Sequence, residues 1–252
     1  QGIIPINIPG IFFHRGFQWN KLIGHLFSNT EGIYGTSVNV SSTYIFLFIV
    51  FGEVMNKSGM GKFLNDISIG LAGHTKGGPA KVAVIASGLL GSINGSAVAN
   101  VVTTGTFTIP LMKKVGYSKE FAGAVESTAS VGGQLLPPIM GATAFIMAET
   151  LGIQYREIVI AAAIPAIIYY LGIIFQIQLK ASKEDLGGMS KEDLPSLSET
   201  LKNYWHLTIP ILFLVYMLFF SGFTVIRGAF FTIILTIIVA QLRKKTRMSI
   251  KD

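Results

Sequence analysis

The chain contains 252 residues, of which 50% are hydrophobic and 13% are charged, and its formal net charge is +7. A soluble chain carries about 25% charged residues, so this composition predicts an integral membrane protein. The basic residues lie in loops between apolar segments, which indicates membrane topology rather than nucleic-acid binding. The sequence contains no cysteine, which excludes disulfides and thiolate metal sites.

The first part of the chain predicts one membrane span between two amphipathic helices. Residues 1–36 are predicted to form a loop and an interfacial helix near residues 18–29. Residues 37–79 are predicted to form a scaffold span over residues 38–55, followed by a surface helix over residues 60–74. A glycine-rich turn then leads into the next element.

Residues 80–114 contain a long uncharged run with polar residues at its centre. The run is too long for one span of about 20 residues and too short for two spans with a turn. Its centre reads GSINGS, which is typical of a turn, and lysines flank both ends. Irregular backbone survives in a bilayer only where protein buries it or where it lines a cavity. The pattern therefore predicts a re-entrant hairpin of two half-helices with its tip near the membrane midplane.

The next element, residues 118–148, is predicted to be a helix broken at residues 132–141. The segment GGQLLPPIMG places two glycines and two prolines within an apolar run. Proline inside a helix removes a hydrogen-bond donor and clashes with the preceding turn. The hairpin and the broken helix together are assigned to a transport-domain portion over residues 80–149.

The remainder of the chain predicts three further spans. Residues 150–180 form one transmembrane span, residues 181–204 a cytoplasmic loop, and residues 205–252 two spans joined by a tight turn at Arg227. The chain starts without an initiator methionine and stops soon after an apolar span. We therefore expect a fragment of a longer multi-pass protein.

The distribution of basic residues predicts the orientation. Sixteen of the twenty Lys and Arg residues lie on one side if the hairpin opens to the cytoplasm, and the positive-inside rule favours this assignment. A single crossing by residues 80–114 would move every later loop to the other side and largely remove the asymmetry. The charge distribution therefore also supports the re-entrant hairpin.

A hairpin tip beside a broken helix predicts a binding site at the membrane midplane. Half-helix N-termini offer unpaired N–H groups, while unwound carbonyls and half-helix C-termini coordinate cations. Na⁺ is a hard ion and should favour oxygen ligands. The predicted ion-binding or substrate-binding residues are Ser92, Asn94, Gly95, Ser96, Asn100, Thr103, Gly132, Gly133, Gln134, Pro137 and Pro138.

Several of these features have a structural alternative. The small residues of the hairpin tip could serve only close helix packing, and the two prolines could produce only a kink. Glu126 lies inside the first half of the broken helix. A carboxyl group within the membrane is a candidate for proton or ion coupling, but Glu126 could equally be a hydrogen-bonded packing residue.

Two other classes of protein fit the sequence less well. An intramembrane serine protease using Ser92 or Ser96 needs a base, but the four histidines lie in loops or at span ends and no G-x-S-x-G motif occurs. A channel needs rings of ligands from several subunits, which one asymmetric hairpin does not provide. The sequence therefore favours a carrier without enzymatic activity, and a channel or scaffold subunit is the remaining alternative.

Two motifs, GLLGSINGSAVAN in the hairpin and GGQLLPP in the broken helix, carry a resemblance to a known family. With the flanking sequence they resemble the large membrane subunit of tripartite ATP-independent periplasmic (TRAP) transporters. More narrowly, they resemble the fused permeases that work with TAXI-type solute receptors. The resemblance is strong over residues 5–180 and weaker over the remainder.

The resemblance implies an all-α polytopic protein of the bacterial inner membrane, one half of an inverted-repeat, elevator-type transporter. It implies import of an organic acid by symport with Na⁺, or with H⁺ in its place, and no other cofactor. The implied partners are a periplasmic TAXI-type receptor, a small membrane subunit fused upstream and the lipid bilayer, with no nucleic acid.

The resemblance also implies a Na⁺ site at Ser92, Asn94, Ser96 and Gly133. Many members of the family carry Ser-Gly-Ser at the hairpin tip, where this chain has Ile93, Asn94, Gly95 and Ser96. Asparagine keeps an oxygen ligand, so the site survives the exchange. The family has a second hairpin and a second broken helix, which this chain lacks.

Overall fold

The computed structural model describes residues 17–190, 192, 194–243 and 245–248. Every regular element in these ranges is a helix, which confirms the predicted all-α class. Four of the basic residues used for the orientation lie outside the described residues. They are Arg15, Lys191, Lys244 and Lys251.

The predicted interfacial helix is α1, Trp19–Ser28, and none of its residues is buried. Its apolar residues Trp19, Ile23 and Phe27 recur every four positions and are all exposed. Residues at this spacing share one face of a helix. α1 therefore presents an apolar stripe outward, as a helix in a membrane interface does.

The first predicted span is one continuous helix of 22 residues, Thr36–Lys57. It consists of α2 (Thr36–Val40), a π-helical turn (Ser41–Ile45) and α3 (Phe46–Lys57). The π turn places Tyr44 beside the ring of Phe145, with 5.6 Å between the ring centroids. The amphipathic helix α4, Met60–Ala72, follows and packs against α5 and α10.

A helical hairpin occupies the position predicted for it. α5 spans Gly78–Asn94, α6 spans Ala97–Lys114, and the two pack against each other. The turn needs a glycine because Gly95 has φ +64°, a left-handed conformation that residues with a Cβ rarely adopt. Both helices also pack against the next helix, so the three form one compact unit. Entry of the hairpin into the membrane from one side stays a prediction.

The predicted broken helix is also present. α7 spans Lys119–Gly132, residues 133–141 are not helical, and α8 spans Ala142–Leu151. The longest helix, α9, then covers Tyr155–Lys183 and packs against α5, α7 and α8. Among the described residues, α9 and the first span have the length and hydropathy needed to cross a membrane.

The C-terminal part differs from the prediction in two ways. The region predicted as a loop contains the end of α9 and a short helix α10, Leu197–Tyr204, whose first turn is capped by Ser196.

The turn between the last two helices, α11 (Thr208–Phe219) and α12 (Val225–Gln241), precedes Arg227. Thr224 caps α12 by accepting a hydrogen bond from the Arg227 N–H, so Arg227 belongs to the helix. A capping threonine is a stronger signal for a helix start than the basic residue used for the prediction.

The last turn of α5 and the residue that follows α7 meet in a contact of two glycine backbones. A Cβ at Gly91 would lie 2.8 Å from the Gly133 Cα and 3.0 Å from the Asn100 Nδ2. Real Cβ atoms do not approach other atoms so closely. The absence of side chains at both positions therefore sets the spacing of the hairpin and the broken helix.

Gly91→Ala should destabilise the protein by about 1–3 kcal/mol, because the added methyl group overpacks this contact. Gly123→Ala on α7 is the matched control, since nothing lies within 4 Å of a Cβ there. Both changes gain about 1 kcal/mol of helix propensity. The stabilities of the two variants should therefore differ only because of the steric clash at position 91. Thermal unfolding of the purified variants in detergent measures the difference. Equal stability of the two variants would contradict the account of the contact.

Candidate solute and cation site

The hairpin tip is organised by side chains of its own turn. The Asn94 Oδ1 accepts a hydrogen bond from the Ser96 N–H at 3.1 Å. The Ser96 Oγ accepts one from the Ala99 N–H at 3.3 Å and caps the N-terminus of α6. Both side chains favour turns and helix starts for this reason. The tip is therefore a rigid turn between a helix C-terminus and a helix N-terminus.

The non-helical segment of the broken helix lies against this tip. The Ile139 N–H donates to the Ser92 carbonyl at 3.2 Å, which joins the segment to the end of α5. The Gly95 backbone faces the Met140 carbonyl so closely that a Cβ at Gly95 would collide with it. The sequence predicted that the two interrupted elements are neighbours, and the structure shows that they meet backbone to backbone.

The segment between α7 and α8 has a defined shape. The Gly141 N–H donates to the Gln134 carbonyl at 2.7 Å, which closes residues 134–141 into a loop, and the Pro137–Pro138 peptide bond is cis. Met140 has φ +63°. A side chain in this conformation is strained and persists only where the surrounding structure fixes it.

Tyr155 of α9 contacts the loop of residues 134–141. Its buried hydroxyl donates to the Ile139 carbonyl and lies 3.4 Å from the Pro138 carbonyl. Its ring stacks on Phe145 of α8, with 4.5 Å between the centroids. Tyr155 therefore links α9, α8 and the loop at one point beside the hairpin tip.

A cavity of about 290 Å³ opens between the tip, the loop and the first span. Four of the predicted site residues line it, namely Asn94, Gly95, Ser96 and Gln134. The remaining wall is mostly apolar, with Phe48 and Phe145 as its largest side chains. Sites for small molecules begin at about 300 Å³ and combine apolar walls with a few polar groups, so the cavity suits a small polar solute.

Some oxygen atoms near the tip already take part in hydrogen bonds, and others do not. The Ser92 Oγ donates to the Leu89 carbonyl at 2.8 Å. Asn100 is fully buried, and its Nδ2 donates to the Ser87 carbonyl at 2.8 Å. The Asn100 Oδ1 is buried and has no hydrogen-bond partner among the described residues. A buried acceptor without a partner is costly unless something else satisfies it, so Asn100 offers a free oxygen ligand.

The end of α5 contributes backbone oxygens. The last four carbonyls of a helix have no partner within it. In α5, the Gly91 carbonyl accepts from Gly95 N–H and the Ser92 carbonyl from Ile139 N–H. No hydrogen bond to the carbonyls of Ile93 and Asn94 is found within the described residues. Together with the negative end of the helix dipole, these oxygens make the C-terminus of α5 favourable for a cation.

Seven of the eleven predicted site residues do not line the tip cavity, namely Ser92, Asn100, Thr103, Gly132, Gly133, Pro137 and Pro138. Thr103 faces a different cavity between α4 and α6, and its hydroxyl donates to the Ala99 carbonyl at 2.8 Å. Gly132 packs against the rings of Tyr169 and Tyr170 of α9. Pro137 lies in the non-helical loop between α7 and α8. A binding role for these residues stays a prediction.

Glu126 is fully buried at the meeting point of α5, α6 and α7. Its carboxyl oxygens lie within hydrogen-bond distance of four hydroxyl groups. These belong to Ser87 on α5 at 2.8 Å, Thr104 and Thr108 on α6, and Ser130 on α7 at 3.2 Å. An ionised carboxylate accepts about four hydrogen bonds, so this arrangement, the Glu126 hydroxyl cage, can satisfy it completely.

The same cage can also accommodate a protonated Glu126. The Thr104 hydroxyl lies 2.8 Å from the Asn100 carbonyl, and the Thr108 hydroxyl lies 3.1 Å from the Thr104 carbonyl. Each hydroxyl has one proton to donate and can turn to the backbone carbonyl instead. Glu126 can then donate its own proton to the vacated hydroxyl oxygen without movement of the backbone.

Sequence reasoning missed the cage and the tyrosine contact. Thr104 and Thr108 on α6, and Glu126 and Ser130 on α7, are four residues apart and therefore share a helix face. That spacing could have predicted one polar face on α6 and another on α7. Nothing in the sequence indicated that these faces meet, or that Tyr155 reaches the loop.

Comparison with known proteins identifies the family. The family described as "Tripartite ATP-independent periplasmic transporter, DctM component" matches residues 10–252. The chain belongs to this family. The match confirms the predicted TRAP resemblance, and it makes the chain part of a polytopic membrane permease.

Several relatives of this chain are named as large permeases of TRAP transporters. A Pseudomonas aeruginosa C4-dicarboxylate TRAP transporter large permease is 26% identical over 72% of this chain and 42% of its own length. The Escherichia coli 2,3-diketo-L-gulonate TRAP transporter large permease is 24% identical over 70% of this chain and 42% of its own length. A Haemophilus influenzae protein named as a TRAP transporter large permease is 28% identical over 66% and 39%. The chain thus spans about two fifths of the length of these relatives.

Tyr155→Phe tests the tyrosine contact in this member of the TRAP family. The change leaves the Ile139 carbonyl without its donor and should destabilise the protein by about 1–3 kcal/mol. Tyr216→Phe on α11 is the control, because Tyr216 is exposed and no hydrogen bond of its hydroxyl is found in the described part of the chain. Its effect should stay within about 0.5 kcal/mol. Unfolding in detergent provides the measurement, and equal stability of both variants would remove the role assigned to Tyr155.

Proposed function

We propose that this chain is the part of a TRAP permease that holds the coupling cation and one side of the solute site during Na⁺-driven import of a small organic acid. The observation that carries the proposal is the free, buried Asn100 Oδ1 beside the hairpin tip. A buried amide oxygen is a suitable ligand for a hard cation such as Na⁺.

The two helix ends at the tip favour ligands of opposite charge. The C-terminus of α5 supplies carbonyl oxygens and a partial negative charge, which favour the cation. The N-terminus of α6 supplies unpaired N–H groups and a partial positive charge, which favour a carboxylate. Ser92, Asn94, Ser96 and Gly133 lie around the cation in this proposal, and Gln134 faces the solute from the cavity wall.

The solute class follows from chemistry and from the relatives. The names of two relatives specify C4-dicarboxylate and 2,3-diketo-L-gulonate, both small organic acids. The tip cavity of about 290 Å³ is consistent with a solute of this size. We include in the proposal a periplasmic receptor of the TAXI type, a small membrane subunit and a location in the bacterial inner membrane.

Uptake into proteoliposomes tests the proposal, with the complete transporter that contains this chain and its receptor. Uptake of an organic acid should require both the receptor and an inward Na⁺ gradient. Uptake without the receptor, or uptake that is equal in Na⁺ and in K⁺, would contradict it.

Ser96→Ala and Asn100→Ala test the site residues. Each change removes an oxygen from the tip, so the Na⁺ concentration for half-maximal uptake should rise about tenfold, equivalent to about 1.4 kcal/mol. Thr106→Val on α6 is the control, because its exposed hydroxyl bonds only the Thr103 carbonyl. The amount of each variant inserted in the membrane separates binding from folding. Normal Na⁺ activation in both variants would overturn the assignment.

The Glu126 hydroxyl cage favours a second candidate, which is coupling to H⁺. A carboxyl group buried in a membrane protein is rare and is typical of proton-coupled transport. The cage satisfies Glu126 in both protonation states, which a proton carrier needs.

Glu126→Gln distinguishes the two candidates. If H⁺ is the coupling ion, the variant should lose uptake driven by a pH gradient by at least about a hundredfold, the usual lower range for a positioned proton-transfer group. Exchange of solute across the membrane without a gradient should persist. If Na⁺ is the coupling ion, uptake driven by the Na⁺ gradient should remain in the variant.

A further inference from the structure

A second cavity, of about 370 Å³, lies between α4 and the hairpin. Polar side chains from three helices line it, and none of the predicted functions uses it. They are Asn56, Lys62, Asn65, Asp66, Thr103 and Thr104. One water occupies about 30 Å³ in the liquid, so the cavity has room for several waters, and these six polar side chains can bind them.

The outer part of this cavity contains a carboxyl group and an unsatisfied amide. The Asn65 Oδ1 is buried and has no hydrogen-bond partner among the described residues. Half-buried Asp66 follows it in the sequence. Burial raises the pKa of the Asp66 carboxyl above its usual range, although the nearby Lys62 ammonium opposes the shift. Asp66 therefore binds a proton more readily than an exposed aspartate.

The inner part of the cavity reaches the Glu126 hydroxyl cage through one residue. Thr104 lines the cavity, is only 8% exposed, and bonds Glu126 Oε1 directly. Ser87, Thr108 and Ser130 also bond Glu126, but they do not line this cavity. Thr104 is therefore the point at which cavity water and the buried carboxyl meet.

We propose that this cavity is a hydrated proton path in which Asp66 exchanges protons with solvent and Thr104 passes them to Glu126. In the transfer step, a protonated cavity water gives a proton to the Thr104 oxygen as the Thr104 hydroxyl proton moves to Glu126 Oε1. The water becomes neutral, the hydroxyl keeps one proton, and the carboxylate becomes a carboxylic acid. The inference rests on the H⁺-coupled candidate function.

The neighbouring charges are compatible with such a path. Lys62 faces Asp66 from α4 itself, and α3 contributes the neutral Asn56. From α5 and α6, only uncharged residues line the cavity. Glu199 and Lys202 of α10, which packs against α4, do not line it.

Around Glu126, the polar groups that α5 and α6 contribute are hydroxyl groups. α9 contributes the neighbouring Tyr170, whose hydroxyl donates to the Ala129 carbonyl at 2.8 Å.

The rate of hydrogen–deuterium exchange at the Glu126 carboxylic acid tests the path in the complete transporter. Infrared spectroscopy detects the protonated acid, and Glu126→Gln identifies its band by removing it. Thr104→Val and Asp66→Asn should each slow the exchange at least about tenfold, since each removes a proton-transfer group. Thr104→Ser keeps the hydroxyl and should exchange at the wild-type rate, which separates loss of the relay from disturbed packing.

Two variants serve as matched controls. Thr106→Val removes an exposed hydroxyl from the same helix, and Glu120→Gln removes an exposed carboxylate from α7. Both should exchange like the wild type. Wild-type exchange in either Thr104→Val or Asp66→Asn, with the Glu126 band present, would overturn the path and leave H⁺ coupling intact. Absence of a protonated Glu126 band at every pH at which the transporter is folded would overturn both.

Discussion

The contact between the backbones of Gly91 and Gly133 is the constraint on which the rest of the site depends. It brings the end of α5 against the end of α7, so two interrupted helices share one place in the fold. The Ile139 N–H can then satisfy the Ser92 carbonyl, and the Met140 carbonyl can lie against Gly95. A side chain at either glycine would separate these partners and break the hydrogen bond between the Ile139 N–H and the Ser92 carbonyl, at a cost of about 1–3 kcal/mol.

The polar groups inside the unit are satisfied to different degrees. Glu126 has four hydroxyl neighbours, and the carbonyls of Pro138 and Ile139 lie beside the Tyr155 hydroxyl. The Asn100 Oδ1 has no partner among the described residues, although its residue is fully buried. Glu126 and the loop carbonyls are thus satisfied, while the Asn100 Oδ1 is left available. This difference is what a carrier needs, because its frame must persist while its ligands bind and leave.

The sequence predicted the elements of the site better than their contacts. The hairpin turn and the helix break were predictable because glycine, asparagine and proline restrict the local backbone in known ways, as at Gly95 and at residues 133–141. The cage around Glu126 was not predictable, because it depends on how α5, α6 and α7 are rotated about their axes. The same applies to Tyr155, whose partner lies 16 residues earlier in the chain. Thr103 was assigned to the tip from its residue type, but its position on α6 places it in another cavity.

The central claim is that the hairpin tip and the broken helix together bind a cation. The most direct test is the unfolding temperature of the complete transporter as Na⁺ replaces choline at constant ionic strength. A ligand that binds only the folded state adds about 2.7 kcal/mol of stability at a hundredfold excess over its dissociation constant. The account predicts a saturable rise in the unfolding temperature with Na⁺ that is absent in Asn100→Ala. An unfolding temperature independent of Na⁺, or an equal rise in the variant, would contradict it.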